Sequence, residues 1–276
     1  MAITAKDVNK LRQMTGAGMM DCKKALTEAD GDFDKAIDLL RKKGQKVSAS
    51  RADRDTTEGS VFVRTNGDGT EGILIALNCE TDFVGKNEEF QNLGNAILDV
   101  AFEKQPANID ALKQEKLGNL TVEEKITELV GKIGEKIEIS EYVRVNGEAV
   151  VPYIHAGSKL GVLVSLKGVN GADVQEAGKD VGMQIAAMNP VAVDKDDVDA
   201  TIVEKELEIG KEQALAEGKP ANIVEKIAEG KLQRFYKDNT LLNQQFVKDS
   251  SVTVAGYLDS ISKGLTVAEF KRVAIG

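Results

Sequence analysis

A repeat of hydrophobic pattern restricts the fold more than any other feature of this chain. Phe90, Leu93, Ile97 and Ala101 recur as Val174, Ala177, Val181 and Ile185, at a constant offset of 84. Both sets keep the three-to-four spacing of a helix face. The run Ile73-Leu74-Ile75-Ala76-Leu77 reads as a strand, and Val162-Leu163-Val164-Ser165-Leu166 repeats it at an offset of 89. Each strand is preceded by another strand and a turn: Val61-Phe62-Val63 with Asn66-Gly67-Asp68-Gly69, and Tyr153-Ile154 with His155-Ala156-Gly157-Ser158. Two such strand-strand-helix halves predict an α+β protein with a duplicated core and antiparallel sheets. The two offsets differ, so the first strand-to-helix connector is five residues longer than the second.

Other segments flank or interrupt this core. Up to Gly44 the chain reads as three short helices: Thr4 caps the first, whose face is Val8, Leu11 and Met14. Cys22, Ala25 and Leu26 mark the second, Phe33, Ala36, Ile37 and Leu40 stripe the third, and Gly44 ends it. Such a small bundle buries little surface and is marginal alone, so it binds something or docks on the rest of the chain. Gln45 to Glu58 is polar, a linker or an exposed helical extension. Thr121 and Glu124 form a capping box, Ile126, Leu129, Val130 and Ile133 stripe the helix behind it, Gly134 ends it, and Ile137 to Val145 is a long strand. Val203, Leu207 and Ala214, then Val224, Ile227, Ala228, Leu232 and Phe235, stripe two helices broken by Gly218-Lys219-Pro220. They predict an inserted antiparallel helical coiled-coil hairpin over 200–240, each arm projecting ~25 Å. The expected division is 1–55 for the three-helix module and linker, 56–138 and 139–276 for the two core subdomains.

Inventory excludes several classes. The net charge is −9, and the densest basic run, Arg41-Lys42-Lys43 with Lys46, reads as the C-terminal end of a helix. Direct nucleic-acid binding is not expected, because it needs clustered cations that displace counterions. The start of the chain shows no signal peptide and no stretch is long enough to span a bilayer. Two cysteines, Cys22 and Cys79, read as reduced, packed thiols of a cytoplasmic protein. There is one histidine, no C-x-x-C or H-x-x-x-H spacing, and no G-x-S-x-G, Walker-A or G-x-G-x-x-G run. An enzyme is therefore not expected, nor a cofactor or metal; a carboxylate acid–base site would need a convergent pair that the sequence does not nominate.

The long connector carries unusual chemistry in Asn78-Cys79-Glu80-Thr81-Asp82-Phe83-Val84-Gly85-Lys86-Asn87. Long connectors on a rigid scaffold are preferred sites of function. On pattern alone two readings stay open: a protruding contact, or a loop whose Phe83 tucks into the core while Asp82 or Asn87 caps the next helix. Here a resemblance enters. The run Leu11-Arg12-x-x-Thr15-Gly16-Ala17-Gly18-Met19-Met20-Asp21-Cys22-Lys23-Lys24-Ala25-Leu26 resembles the N-terminal signature of the bacterial elongation factor Ts family, and Asn78 to Val84 resembles its second signature. Both stand in the expected order, and the predicted modules cover nearly the whole chain.

The resemblance implies a guanine-nucleotide exchange factor whose partner is elongation factor Tu, with an N-terminal module like a ubiquitin-associated domain. It implies that Thr81, Asp82, Phe83 and Val84 disturb the partner's magnesium site, Asp82 and Phe83 as the wedge. It implies partner contacts at Lys23, Ile133, Gly134, His155 and Val247. At Lys248 an apolar residue is expected instead, and the turn at His155 is one residue longer than the usual form. The chain ends at Ala274-Ile275-Gly276, where some members continue into a further helix, so binding is expected to fall on the N-terminal module and core. The alternative is an adaptor that takes a ubiquitin-like partner on the three-helix module and forms a homodimer through the coiled coil.

Overall fold

The computed structural model describes residues 3–276. Met1 and Ala2, which open the stretch read above for a signal, lie outside them. The chain packs as two units, one of residues up to Phe62, Leu74–Tyr142 and Ala274–Gly276, the other of Val63–Ile73 and Val143–Val273.

In the first unit, α1 (Ala5–Thr15), α2 (Met19–Glu28) and α3 (Phe33–Ser50) surround Val8, Leu11, Cys22, Ala25, Leu26 and Ala36. Thr4 and Asp7 close a reciprocal capping box on α1. Met14 is exposed rather than on the buried face. Gly44 does not end α3, which runs on for more than a turn to Ser50. Consequently Arg41, Lys42, Lys43 and Lys46 lie inside the helix and not at its C-terminus; Lys43 pairs with Asp21 across to α2. Gly44 is glycine for a packing reason. It meets Gly131 of α7 (Val122–Ile133) so closely that a Cβ on Gly131 would sit 2.6 Å from the Gly44 Cα. A crossing that tight admits no side chain at Gly131, and at Gly44 a Cβ would press on the Thr127 carbonyl oxygen at 3.2 Å.

β1 (Glu58–Thr65), β2 (Glu71–Cys79) and β5 (Ile137–Asn146) form a sheet in the order β1-β2-β5. The one-turn helix α4 (Asp82–Gly85) and the long α5 (Glu88–Lys104) follow β2. The short α6 (Ile109–Gln114) and the small hairpin of β3 (Lys116–Leu117) and β4 (Leu120–Thr121) lead into α7, whose start carries the predicted Thr121–Glu124 capping box.

In the second unit, β6 (Ala149–Ile154) pairs antiparallel with β7 (Leu160–Lys167), and β10 (Thr266–Ala274) completes a sheet in the order β10-β7-β6. α8 (Gln175–Met188) covers it, burying Ala177, Val181 and Ile185 against Val151, Val162 and Val164. α9 (Ala200–Ala216) and α10 (Ala221–Asn239) pack along each other, with Gly210 against Ala228. β8 (Gln245–Phe246), β9 (Asp249–Thr253) and α11 (Val254–Ile261) complete the unit. The α+β class is thus observed.

The halves repeat in three dimensions as well as in pattern. Gly94 of α5 lies over the Phe62 ring, and Gly178 of α8 lies over Val151, again at offsets of 84 and 89. Each glycine lets its helix settle onto a bulky residue of the first strand. The five extra residues do not form one loop. Against those frames β2 is one residue longer, the connector one longer (80–87 against 168–174), and α5 starts three residues earlier.

The braced connector as candidate functional site

The connector is a short helical turn held from beneath. Thr81 has extended backbone and caps α4, its carbonyl accepting from Gly85 N at 3.2 Å. Lys86 N donates to the Asp82 carbonyl at 3.1 Å and Asn87 N to that of Val84 at 2.9 Å. The Asn87 side chain then accepts from Glu89 N and Phe90 N, so Asn87, and not Asp82, caps α5. The two apolar residues divide. Val84 is buried, whereas Phe83 is 82% exposed and does not tuck into the core. Asp82 accepts an ion-pair hydrogen bond from Lys86 at 2.7 Å on the outer surface, which raises the Lys86 ammonium above its usual value.

Three sets of contacts fix this turn. Below it, Gly85 lies on Gly59, whose φ of +141° is open only to glycine, and a Cβ on Gly59 would be 2.2 Å from the Leu77 carbonyl oxygen. Gln91 Nε2 donates to the Gly85 carbonyl at 2.6 Å and Cys79 Sγ to that of Thr81 at 3.1 Å. At its start, Glu135 accepts from Thr81 N at 3.0 Å and Thr81 Oγ1 at 2.9 Å. Behind it, Glu80 accepts from Arg51 at 3.1 Å, Arg54 at 2.9 Å and Lys136 N at 2.7 Å. Burial works to raise the Glu80 carboxyl, but the Lys136 N–H and the Arg54 and Arg51 guanidiniums outweigh it and hold it below the ordinary range. For Cys79, burial first and then the Glu135 and Glu58 carboxylates push the thiol up to about 12, so it is a packed structural thiol.

No motif or spacing in the sequence points to Arg51, Arg54, Glu80, Glu135 or Lys136 as a group. Arg51 and Arg54 fall in the stretch read as linker or helical extension, and its mixed charge was the one available signal.

The other expected contacts are placed as follows. Lys23 is exposed on α2. Ile133 is half-buried at the last turn of α7, and Gly134 closes that helix at φ +83° directly before Glu135. The structure therefore joins Gly134 to the connector through its neighbour. In the second unit, His155 is exposed at the β6–β7 turn, its Nδ1 3.1 Å from the Tyr153 hydroxyl. Val247 is 46% exposed at the β8–β9 turn. Lys248 turns back to pair with Asp180. Among the described residues no group of three or more His, Cys, Asp or Glu side chains is arranged to hold a metal ion, and no helix is long and apolar enough to cross a membrane.

Fold and connector together define an α+β protein that presents one aromatic side chain on a braced turn. A family model described as elongation factor Ts matches residues 80–276. Over its full length the chain is 60% identical to elongation factor Ts of Amoebophilus asiaticus, all of which it covers. It is 60% identical to that of Cytophaga hutchinsonii and 53% identical to that of Christiangramia forsetii, with 99% of each chain covered. The chain belongs to the elongation factor Ts family.

Proposed function

We propose that the chain is the guanine-nucleotide exchange factor of elongation factor Tu, and that Phe83 is the side chain that forces GDP out. The observation that carries this reading is an aromatic ring left 82% exposed on a turn braced by two carboxylates. Burying a phenylalanine side chain contributes roughly 1.5–3 kcal/mol. A braced turn that withholds Phe83 from its own core keeps that contribution for a partner. Asp82 stands beside it, with Thr81 as cap and Val84 as the buried foot of the turn.

Pressed between elements of the GTPase, the ring displaces the groups that hold magnesium and the β-phosphate. The cation is the largest local charge in such a site, so loosening it removes a main anchor of the nucleotide. No covalent bond is made or broken. Coupling is reciprocal, so GDP weakens the factor's own binding by the same ratio and incoming GTP releases it. Lys23, Ile133, Gly134, His155 and Val247 supply the remaining contacts. In this reading α1–α3 are the ubiquitin-associated-like module, α9 and α10 the coiled-coil hairpin, the functional parts are 1–55, 56–138 and 139–276, and the protein is cytoplasmic. Nothing in the relatives supports the adaptor alternative.

The test is stopped-flow release of labelled GDP from elongation factor Tu. Asp82→Ala with Phe83→Ala slows the stimulated release; unchanged release by the double variant defeats the wedge.

A further inference from the structure

The turn that presents Val247 rests on two polar side chains buried in an otherwise apolar helix face. Asp180 and Gln184 lie one turn apart on α8, between the apolar positions Ala177, Val181 and Ile185. Both are buried, Gln184 completely. Burying a carboxylate or an amide costs free energy unless every partner is in place. Here the partners are the β8–β9 turn and the residues around it. Gln184 Oε1 accepts from Val247 N at 2.8 Å, and its Nε2 donates to the Gln244 side chain at 3.0 Å and the Gln245 carbonyl at 3.2 Å. Asp180 accepts from Lys248 Nζ and, at 2.8 Å, from the Tyr257 hydroxyl. The Tyr257 ring stacks on Phe246 at 4.2 Å. Phe246 pairs with Asp249, so Val247 and Lys248 are the whole turn.

The consequence is directional. The Val247 backbone is held from below and the Lys248 side chain is drawn back over Asp180. Of the two turn residues, only Val247 presents an apolar side chain outward. An ammonium committed to a nearly buried carboxylate is not free to meet an acidic surface, and pulling it away leaves that carboxylate with the Tyr257 hydroxyl but without its counter-charge. Consistently, the Asp180 hydrogen bond raises the Lys248 ammonium above its usual value.

We infer that Asp180, Gln184 and Lys248 are positioning residues that hold the Val247 turn in its binding geometry, with Lys248 acting through Asp180 and not on the partner. This rests on the reading of Val247 as a partner contact. The test is a double-mutant cycle on Lys248→Met and Asp180→Asn, read as the concentration of factor that half-saturates GDP release and as the maximal release rate. Each single variant raises the half-saturating concentration by about fivefold with the maximal rate unchanged. The double variant is no worse than either single one, and Lys248→Arg restores the wild-type value. Multiplying effects in the double variant, or a full effect of Lys248→Met when Asp180 is already Asn, overturns the inference by placing Lys248 on the partner. A lowered maximal rate with unchanged half-saturation also overturns it. Should Asp180→Asn fail to fold, the Met and Arg variants of Lys248 decide: wild-type half-saturation for Met, or no rescue by Arg, refutes it. Val247→Ala separates the two layers, because a wild-type value there refutes the contact itself, whatever the cycle gives.

Discussion

Replacing Glu135 by Ala removes one of the connector's braces, the one at its start, while leaving Phe83 and Asp82 chemically untouched. The carboxylate accepts from two donors, Thr81 N at 3.0 Å and Thr81 Oγ1, which lies 2.9 and 3.1 Å from its two oxygens. A bond to a charged acceptor contributes roughly 1.5–3 kcal/mol when buried, and both residues are half-exposed, so about 1 kcal/mol each is the appropriate scale. Losing both raises the population of the opened turn by about 2 kcal/mol, or roughly 30-fold. Amide hydrogen exchange reads this locally. The Gly85 and Lys86 amides, bonded to the Thr81 and Asp82 carbonyls, exchange roughly 30-fold faster in the variant. Glu89 and Phe90, capped independently by Asn87, keep their protection. Glu135→Gln, which retains one acceptor oxygen, falls between. Unchanged protection at Gly85 and Lys86 refutes the brace. An equal rise along all of α5 refutes its locality and marks Glu135 as a general stability residue.

Three further outcomes follow from the same contacts. Glu80 is held below the ordinary 4.5 of its type, so the unfolded state binds more protons in that range; its stabilisation is complete above about 4.5 and is lost as pH falls through the lowered value, an acid-side loss in a pH-dependent denaturation series that Glu80→Gln removes. Gly131→Ala, whose Cβ would lie 2.6 Å from Gly44, destabilises by about 1–3 kcal/mol through overpacking, while Gly230→Ala in α10, with open space around it, stabilises by about 0.5–1 kcal/mol; chemical denaturation gives both signs. Cys79, with its thiol pushed up to about 12 and its side chain buried, stays unlabelled by a disulfide reagent at pH 8 in the native protein and reacts on denaturation.

Much of this architecture is written locally. Thr4, Thr121 and Asn87 cap helices because a short polar side chain ahead of an apolar period has few other uses, and the 84- and 89-residue offsets survive as the seats of Gly94 and Gly178. Gly44 misleads because a glycine after a basic run reads as a helix end; its partner Gly131 lies 87 residues away, and only the crossing reveals the need for two glycines. Met14 keeps helical spacing yet stands outside the small core. At the connector, Phe83 was visible as an odd residue, but its exposure was not, and Val84 beside it went inward. The bracing set is harder still. Glu80, Glu135, Arg51 and Arg54 sit in polar stretches where charge is ordinary, and what distinguishes them is long-range pairing that no spacing rule encodes. Asp180 and Gln184 do leave a trace, as polar residues on an apolar helix face.

The central claim is that Phe83 acts through the partner's magnesium site and not merely by adding affinity. Its most direct test is the maximal rate of GDP release from elongation factor Tu with wild-type factor and with Phe83→Ala, measured in millimolar magnesium and again in excess chelator. With magnesium present, losing a central aromatic anchor worth about 2 kcal/mol or more slows release roughly 30-fold. With magnesium stripped away the main anchor that the ring loosens is already gone, and the two proteins release GDP within about a factor of two of each other. The same deficit in chelator as in magnesium would contradict the account and leave Phe83 as an ordinary docking residue.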